Sequence, residues 1–559
     1  MEINKADVLT IFILSTVFFS LASWNLGSTE VPQNNLQIKE KADFFVDFGK
    51  IERVGTVYFL VKNSSEAQID VYTGSPGNWN FDGTIEIQVS YYSWSDGLIL
   101  DKDSQQIGFV IDSEFIEIAE LAIIDSSDQT MKINYISSEN SSDINLTYLI
   151  DEQNIINLPN TYMGETFFDE IYFVKTAENY LKIQYPYEWT HPPLGKLIIA
   201  SGIVIFGFNP FGWRIMGVIF ATLMIPLIYF LGKELFQTWI GGFSAAFLLI
   251  FDFMHFTMAR MATVDTFVIF FSIASQLFFL LYLKKLLIYG WQKTPTKLLF
   301  LAILCFALGF SVKWIAIYGF IAQIVILSAI RINEILKYKD LKLIDKINEF
   351  IEYPFTKIME FILIAVLIYF LTYIPDIIVG RTILEVLGLQ GGMYYYHSTL
   401  EATHFFSSEW WSWPLILKPV WLYVSQLSIN IKSSIALLGN PAVWWVGFPA
   451  IILVTAIAVR KKIFECAFIV TFFFINWIPY MLISRITFLY HFYINVPLLC
   501  LASAYFISKY WKSKWAKIVS IIYFSIVAIL FGYFYVIISG TPAPDSVINS
   551  LKWLSGWIF

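Results

Sequence analysis

Apolar positions along this chain come in solid blocks separated by one long stretch of a different texture. The first block, residues 8–24 (VLTIFILSTVFFSLASW), is long enough for one membrane crossing. Its Ser-Leu-Ala-Ser end also suits a signal peptide, but the flank Met1–Asp7 is hardly basic, which favours a retained anchor. Residues 25–160 then switch to short runs of β-formers set between Gly, Asn, Asp and Ser: Gly55–Val61, Ile69–Tyr72, Thr84–Tyr92 and Phe115–Ile124. They predict a small all-β sandwich. From 211 onward solid blocks return, over 211–231, 239–258, 263–283, 298–312, 314–331, 356–374, 441–459, 463–482, 487–507 and 515–538. The reading is a polytopic α-helical membrane protein of about eleven spans with a β-domain inserted in its first loop.

Charge sets the orientation. Residues 25–190 hold 27 Asp/Glu against 9 Lys/Arg, a net of −18, so the remainder of a chain with net charge −7 carries +11. With the N-terminus inside, Lys284, Lys285, Lys293 and Lys297, the 337–357 segment, Arg460–Lys462 and the 509–517 segment all fall in cytoplasmic loops. Residues 25–210, 375–440 and 540–559 are then outside. Three Asn-X-Ser/Thr triplets at Asn63, Asn140 and Asn145 agree with that side. Residues 191–208 are apolar, but a crossing there would invert every later loop. They predict a surface or re-entrant helix begun by Pro192-Pro193 and ended near Gly207. The domains are therefore 1–24 (anchor), 25–160 (extracytoplasmic β-sandwich) and 161–559 (membrane body). The body's external parts are 161–210 and 375–440.

At 57% hydrophobic and 14% charged, the composition fits a membrane protein, and no basic face suits nucleic acid. The three cysteines lie in apolar runs and suggest no disulfide, and no His/Cys/Asp/Glu spacing suggests a metal.

Candidate chemistry comes from ionisable groups at the outer border, where they are costly and functional by default. Asp169-Glu170 fits a base that deprotonates a hydroxyl attacking a sugar carbon. It equally fits the N-terminus of a helix. Cations that violate the positive-inside pattern include Arg214, Lys196, Arg260, Lys313 and Arg485. Arg214 could grip a phosphate or snorkel. Arg260 and Asp265 suggest a structural pair. Lys313, at a span end, could also snorkel. His191, Arg485, Tyr490, His491 and His404 complete the set, the Arg485–His491 cluster being the least easily explained as structural.

These pieces together carry a resemblance. FFDEIYF, HPPLGKLIIA, NPFGWRIMG, ARMATVDTFVIFF, SVKW, YHSTLEATHFFSSEWWSWP, GNPAVWW and SRITFLYHFY resemble the protein O-mannosyltransferases over about residues 160–510. The resemblance implies a GT-C-type, inverting enzyme that moves mannose from dolichyl phosphate mannose to Ser/Thr of acceptor proteins, with no cofactor or metal required. It implies Asp169 as general base beside Glu170, and Arg214 as the donor-phosphate arginine. His404, Arg485, Tyr490 and His491 would occupy donor or acceptor positions. Residues 375–440 are too short for the MIR domain of eukaryotic members, which implies a prokaryotic, archaeal-like member in the cell membrane. The β-domain separately resembles galactose-binding, discoidin-like jelly rolls. The alternative activity is sugar transfer to a lipid or glycan, as in aminoarabinose transferases. A transporter would show broken, repeated spans, and none are evident. The sequence leaves dimerisation open.

Overall fold

The computed structural model describes residues 3–127, 129–138, 145–156, 158–338, 342–352 and 355–559. Helix α1 (Lys5–Ser23) starts with a capping box between Asn4 and Asp7. Strands β1 (Leu36–Ser64), β2 (Ala67–Ser75), β3 (Asn78–Ile87), β4 (Tyr91–Trp94), β5 (Leu98–Asp125) and β6 (Tyr135–Ser137) follow. All pair antiparallel in the order β3-β2-β5-β1-β4, with β6 also on β1.

Strands of 29 and 28 residues are too long for one flat layer, so β1 and β5 bend and pair with each other twice. Leu36–Asp47 runs against Gln106–Ile118, and Val54–Ser64 against Ile116–Asp125. Gly49, at φ +76°, and Gly55, where a Cβ would meet the Asp125 carbonyl at 2.5 Å, permit the bend. The folded sheet closes on its own core, in which Phe109 meets Phe44 at 5.1 Å and Phe59 edge-on at 5.3 Å. By bending, β1 and β5 each serve both halves of the sheet, and β2 and β3 add Ile69, Val71, Ile85 and Ile87 to the same core. Asn145 is exposed, and Asn63 is half-buried with its Oδ1 bonded to Lys175. The triplet at Asn140 lies outside the described residues.

The membrane body runs α2 (Glu170–Leu181), α3 (Leu194–Phe206), α4 (Pro210–Phe236), α5 (Trp239–Ile250), α6 (Phe253–Ala259), α7 (Asp265–Tyr289), α8 (Lys297–Val312), α9 (Ala316–Ile335), α10 (Leu343–Glu352), α11 (Phe355–Leu371), α12 (Ile374–Val379) and α13 (Ile383–Thr399). The hairpin β7 (Val420–Ser428) and β8 (Ile431–Leu437) leads to α14 (Pro441–Lys461), α15 (Phe464–Trp477), α16 (Val496–Tyr510) and α17 (Lys514–Ser539).

Among the described residues nine helical stretches are long and apolar enough to cross a membrane, and the pair α5–α6 makes a tenth. That pair is bent by 61°, where one straight span was expected over 239–258. The bend is built in: Asp252 caps α6 through the His255 N–H, and its Oδ2 accepts from Trp444 Nε1 at 2.7 Å. The freed Phe251 carbonyl accepts from Asn440 Nδ2. At 16 residues α8 is shorter than a usual span, and α3 has 13 residues, about 20 Å of helix. The tail beyond α17 packs on the 375–440 region, with Trp557 Nε1 donating to the Ile416 carbonyl and Asp545 N–H to that of Asn430.

Candidate active site

The site is assembled on the segment between β4 and α3, and its foundation is a buried ion pair. Glu170 in the first turn of α2 and Arg214 in the first turn of α4 are both 0% exposed and meet in a fork, Nε to Oε1 at 2.8 Å and Nη2 to Oε2 at 2.7 Å. The remaining Arg214 N–H groups donate to the carbonyls of Leu26, Tyr162 and Glu165 at 2.7–3.1 Å. Glu170 also accepts from the N–H groups of Ala262 and Phe167. All five guanidinium donors are thereby used. The geometry departs from two expectations: every Arg214 donor is engaged within the protein, none turned to a phosphate site, and both Glu170 oxygens are held by hydrogen bonds. Together they form a brace.

Two further cations are corrected in the same way. Arg260, expected to pair with Asp265, donates instead to the carbonyls of Ala22, Trp24 and Asn25, each at 2.7 Å, and so pins the end of α1. Lys196, 1% exposed, gives its three protons to Glu188 Oε2 and to the Glu188 and His191 carbonyls. It locks the turn before α3, with its donors taken up inside the protein.

Above this brace lies the polar surface. Asp169 stands at the N-cap position of α2, but its side chain makes no capping bond. The preceding Phe168 adopts φ +51°, a strained left-handed conformation, and packs edge-on against Tyr490 at 6.4 Å. The Asp169 carboxylate is half-buried and has no hydrogen-bond partner among the described residues. Burial pushes its pKa up to about 7; Lys313 pulls it down, and Asp265 and Glu188 push it up. Lys313, the C-cap of α8, donates to Asp265 Oδ1 at 2.8 Å and lies 5.8 Å from the Tyr490 ring centre.

His191 is oriented by Glu188, whose Oε1 lies 3.1 Å from Nδ1. Lys196 and His191 hold the Glu188 pKa well below the usual carboxylate range despite burial. The His191 ring meets that of His397 at 5.3 Å. His397 Nε2 donates to the Thr190 carbonyl at 2.9 Å, which makes Nδ1 the acceptor for Arg485 Nη1, also at 2.9 Å. Burial and the nearby cations hold its pKa near 4, so it stays neutral. Arg485 uses only this one bond, and it borders an open cleft of about 640 Å³ together with Ser408, Trp411, Lys418 and Thr487. Tyr490 and His491 stack at 4.6 Å, and His491 Nδ1 bonds at the Phe488 backbone. The exposed His404 is packed on Phe488, which in turn stacks on Tyr490, and accepts from the Phe406 N–H.

The fold thus brings together Asp169, His191, Asp265, Lys313, Arg485, Tyr490 and His491, and it withdraws Glu170, Arg214, Lys196 and Arg260 into structural work. Sequence reasoning missed Glu188, although an acid three residues before His191 and eight before Lys196 was a usable signal. It also missed Glu165, whose buried carboxylate accepts from the Trp94 N–H and the Tyr423 hydroxyl and whose pKa burial raises to about 7. The link between His397 and Arg485, 88 residues apart, has no local signature.

With this geometry in hand, similarity to known proteins has a definite meaning. Residues 190–343 match the model of the dolichyl-phosphate-mannose-protein mannosyltransferase family, and residues 383–557 that of the C-terminal four-helix membrane region of protein O-mannosyltransferase. The polyprenol-phosphate-mannose–protein mannosyltransferase of Mycobacterium tuberculosis is 22% identical over 434 residues, covering 66% of this chain and 80% of that one. The Corynebacterium glutamicum protein of the same name is 24% identical over 437 residues, covering 66% and 81%. The solved Saccharomyces cerevisiae protein O-mannosyltransferase Pmt1-Pmt2 complex bound to the sugar donor shares the fold, with a TM-score of 0.59 at 13% identity, covering 70% of this chain and 89% of that chain. Two family models in succession along one multi-pass membrane chain carry the conclusion: the chain belongs to the protein O-mannosyltransferase family and is a membrane glycosyltransferase of the GT-C class.

Proposed function

We propose that this enzyme transfers mannose from a polyprenyl phosphate, dolichyl phosphate mannose or its equivalent, to Ser/Thr hydroxyls of proteins at the outer face of the membrane, with inversion at the anomeric carbon and without a cofactor. The observation that carries the reading is Asp169: among the acids of the cluster it alone has no hydrogen-bond or salt-bridge partner, and its pKa lies where a general base works best.

In the step proposed, the acceptor oxygen attacks C1 of the sugar as Asp169 takes its proton. The bond from C1 to the phosphate oxygen breaks, and its electron pair leaves with the polyprenyl phosphate. That phosphate is a good leaving group without protonation. The cations facing it, Arg485 with its unused donors and Lys313, stabilise its charge. The relatives named above act on polyprenol-phosphate-mannose and protein, which supports the same donor and acceptor here. Acidic residues concentrated in the β-domain and positive loops opposite support the outer location.

The test is mannosyl transfer from dolichyl phosphate mannose to a Ser/Thr-rich peptide by membranes carrying the wild type or Asp169→Asn. Transfer that disappears in the variant supports both reaction and base. Folded wild-type protein that leaves the peptide unmodified but glycosylates a lipid would overturn the acceptor assignment.

A further inference from the structure

We infer that the β-domain carries a calcium site, built by Glu120, Asp151, Glu152 and Gln153 where the domain joins the membrane body. The site shares no residue with the mannosyl-transfer cluster.

Asp151 and Glu152 alone would be an ordinary acidic pair at the surface. Glu120 on β5 makes the difference. It is 0% exposed; its Oε1 accepts from Gln153 Nε2 at 2.6 Å, and its Oε2 has no hydrogen-bond partner among the described residues. An unpaired carboxylate oxygen at that depth is expensive. Protonation, which burial favours by pushing the Glu120 pKa up to about 8, would satisfy this one oxygen, whereas a cation would satisfy it together with the oxygens of Asp151 and Glu152. Gln153 presents a second orphan: its Nε2 also donates to the Leu121 carbonyl, while its Oε1 is buried without a partner.

Oxygens from Glu120, Asp151 and Glu152 lie within 4.8 Å of one another. Two oxygens on opposite sides of one calcium ion stand about 5 Å apart, twice a Ca–O distance of about 2.4 Å. Asp151 Oδ2 and Glu152 Oε2 are engaged elsewhere, with Asn34 Nδ2 and with the N–H groups of Gln33 and Asn34. Each therefore still has an oxygen to offer. The donor set is all oxygen, without His or Cys, partly amide and irregular in layout. That selects calcium over zinc, and over magnesium with its strict octahedron. The same carboxylates hold residues 33–34, where the chain enters the β-domain, and Gln33 Nε2 donates to the Phe208 carbonyl beside α4. A bound ion would tie β5, this way in and the way out at 151–153 into one joint.

Full-length protein in detergent, stripped with EGTA and titrated with CaCl2, should bind one calcium per chain with a Kd of about 10⁻⁴–10⁻³ M. Its unfolding midpoint should rise with calcium and not with equal magnesium. Glu120→Gln should abolish binding. Asp151→Asn, at the surface and harmless to folding, should weaken it about tenfold or more. If Glu120→Gln does not fold, Asp151→Asn decides the matter. Wild-type protein that binds no calcium at about 10 mM, or an Asp151→Asn variant that binds as tightly as wild type, would overturn the inference.

Discussion

Replacing Arg214 by Gln separates a brace from a phosphate ligand. In the folded protein the guanidinium satisfies both oxygens of Glu170 and three backbone carbonyls, with no exposed atom. Removing one partner of a buried ion pair costs about 3–5 kcal/mol, because the other charge is left alone in low dielectric. The three carbonyls that lose donors add about 1 kcal/mol each where the smaller amide does not reach them. A loss of at least about 4 kcal/mol is a large share of the 5–15 kcal/mol that ordinarily separates folded from unfolded chains. The assay is thermal unfolding in detergent, read by intrinsic tryptophan fluorescence, beside donor binding to the folded fraction. The midpoint should fall by roughly 3–5 °C, about 4 kcal/mol over an unfolding entropy of about 1.2 kcal/mol/K for a chain of 559 residues, with donor affinity of the folded fraction unchanged. Arg214→Met combined with Glu170→Leu should recover part of the loss, since no charge is then stranded. A variant Arg214→Gln with the wild-type midpoint and weakened donor binding would refute the brace and restore the phosphate role.

The other predictions concern the site itself. Asp169→Asn should lower turnover by about 10²–10⁴-fold with an unchanged unfolding midpoint, because the side chain has no hydrogen bond to lose; circular dichroism and transfer assays check both halves. Since a base works only when ionised, the rate should rise with pH up to about 7 and then level off. Lys313→Gln removes the cation that lowers the Asp169 pKa, so the rising limb of the pH–rate profile should move to higher pH; an unmoved limb would count against Asp169 as the titrating group. Arg485→Ala should raise the KM for the donor by about 10–100-fold, the equivalent of one charge-assisted phosphate contact of 1.5–3 kcal/mol, with the acceptor KM little changed.

Reading the chain in one dimension captured what depends on composition over a window. Solid apolar blocks gave the spans, the punctuated β-forming stretch gave the sheet domain, and Pro192-Pro193 and Gly207 marked the two ends of α3. It also isolated the outer ionisable residues, because at a membrane border they need a reason to be there. It could not divide them by role. Arg214 and Arg485 are both arginines near an apolar block, but one is sealed by carbonyls from residues 26, 162 and 165 while the other opens onto a cleft. That difference depends on long-range packing, which no local pattern encodes. The bend at Phe251–Asp252 was hidden for the same reason, since the side chains that satisfy it, Asn440 and Trp444, come almost 200 residues later.

The partners of the two buried arginines have an order in time as well as a place. Ribosomes deliver a membrane chain from its N-terminus, and every group that Arg214 binds, from Leu26 to Glu170, is made before Arg214 itself. The strongest bonds of Arg260, to residues 22, 24 and 25, are likewise already waiting, and only its long contact at Ser539 comes later. Each guanidinium can therefore find its hydrogen-bond acceptors as soon as its own segment is inserted, and Arg214 its counter-charge in Glu170 as well. The joints made by the two arginines can thus be set before α14–α17 exist, while the bend at Phe251–Asp252 waits for Asn440 and Trp444.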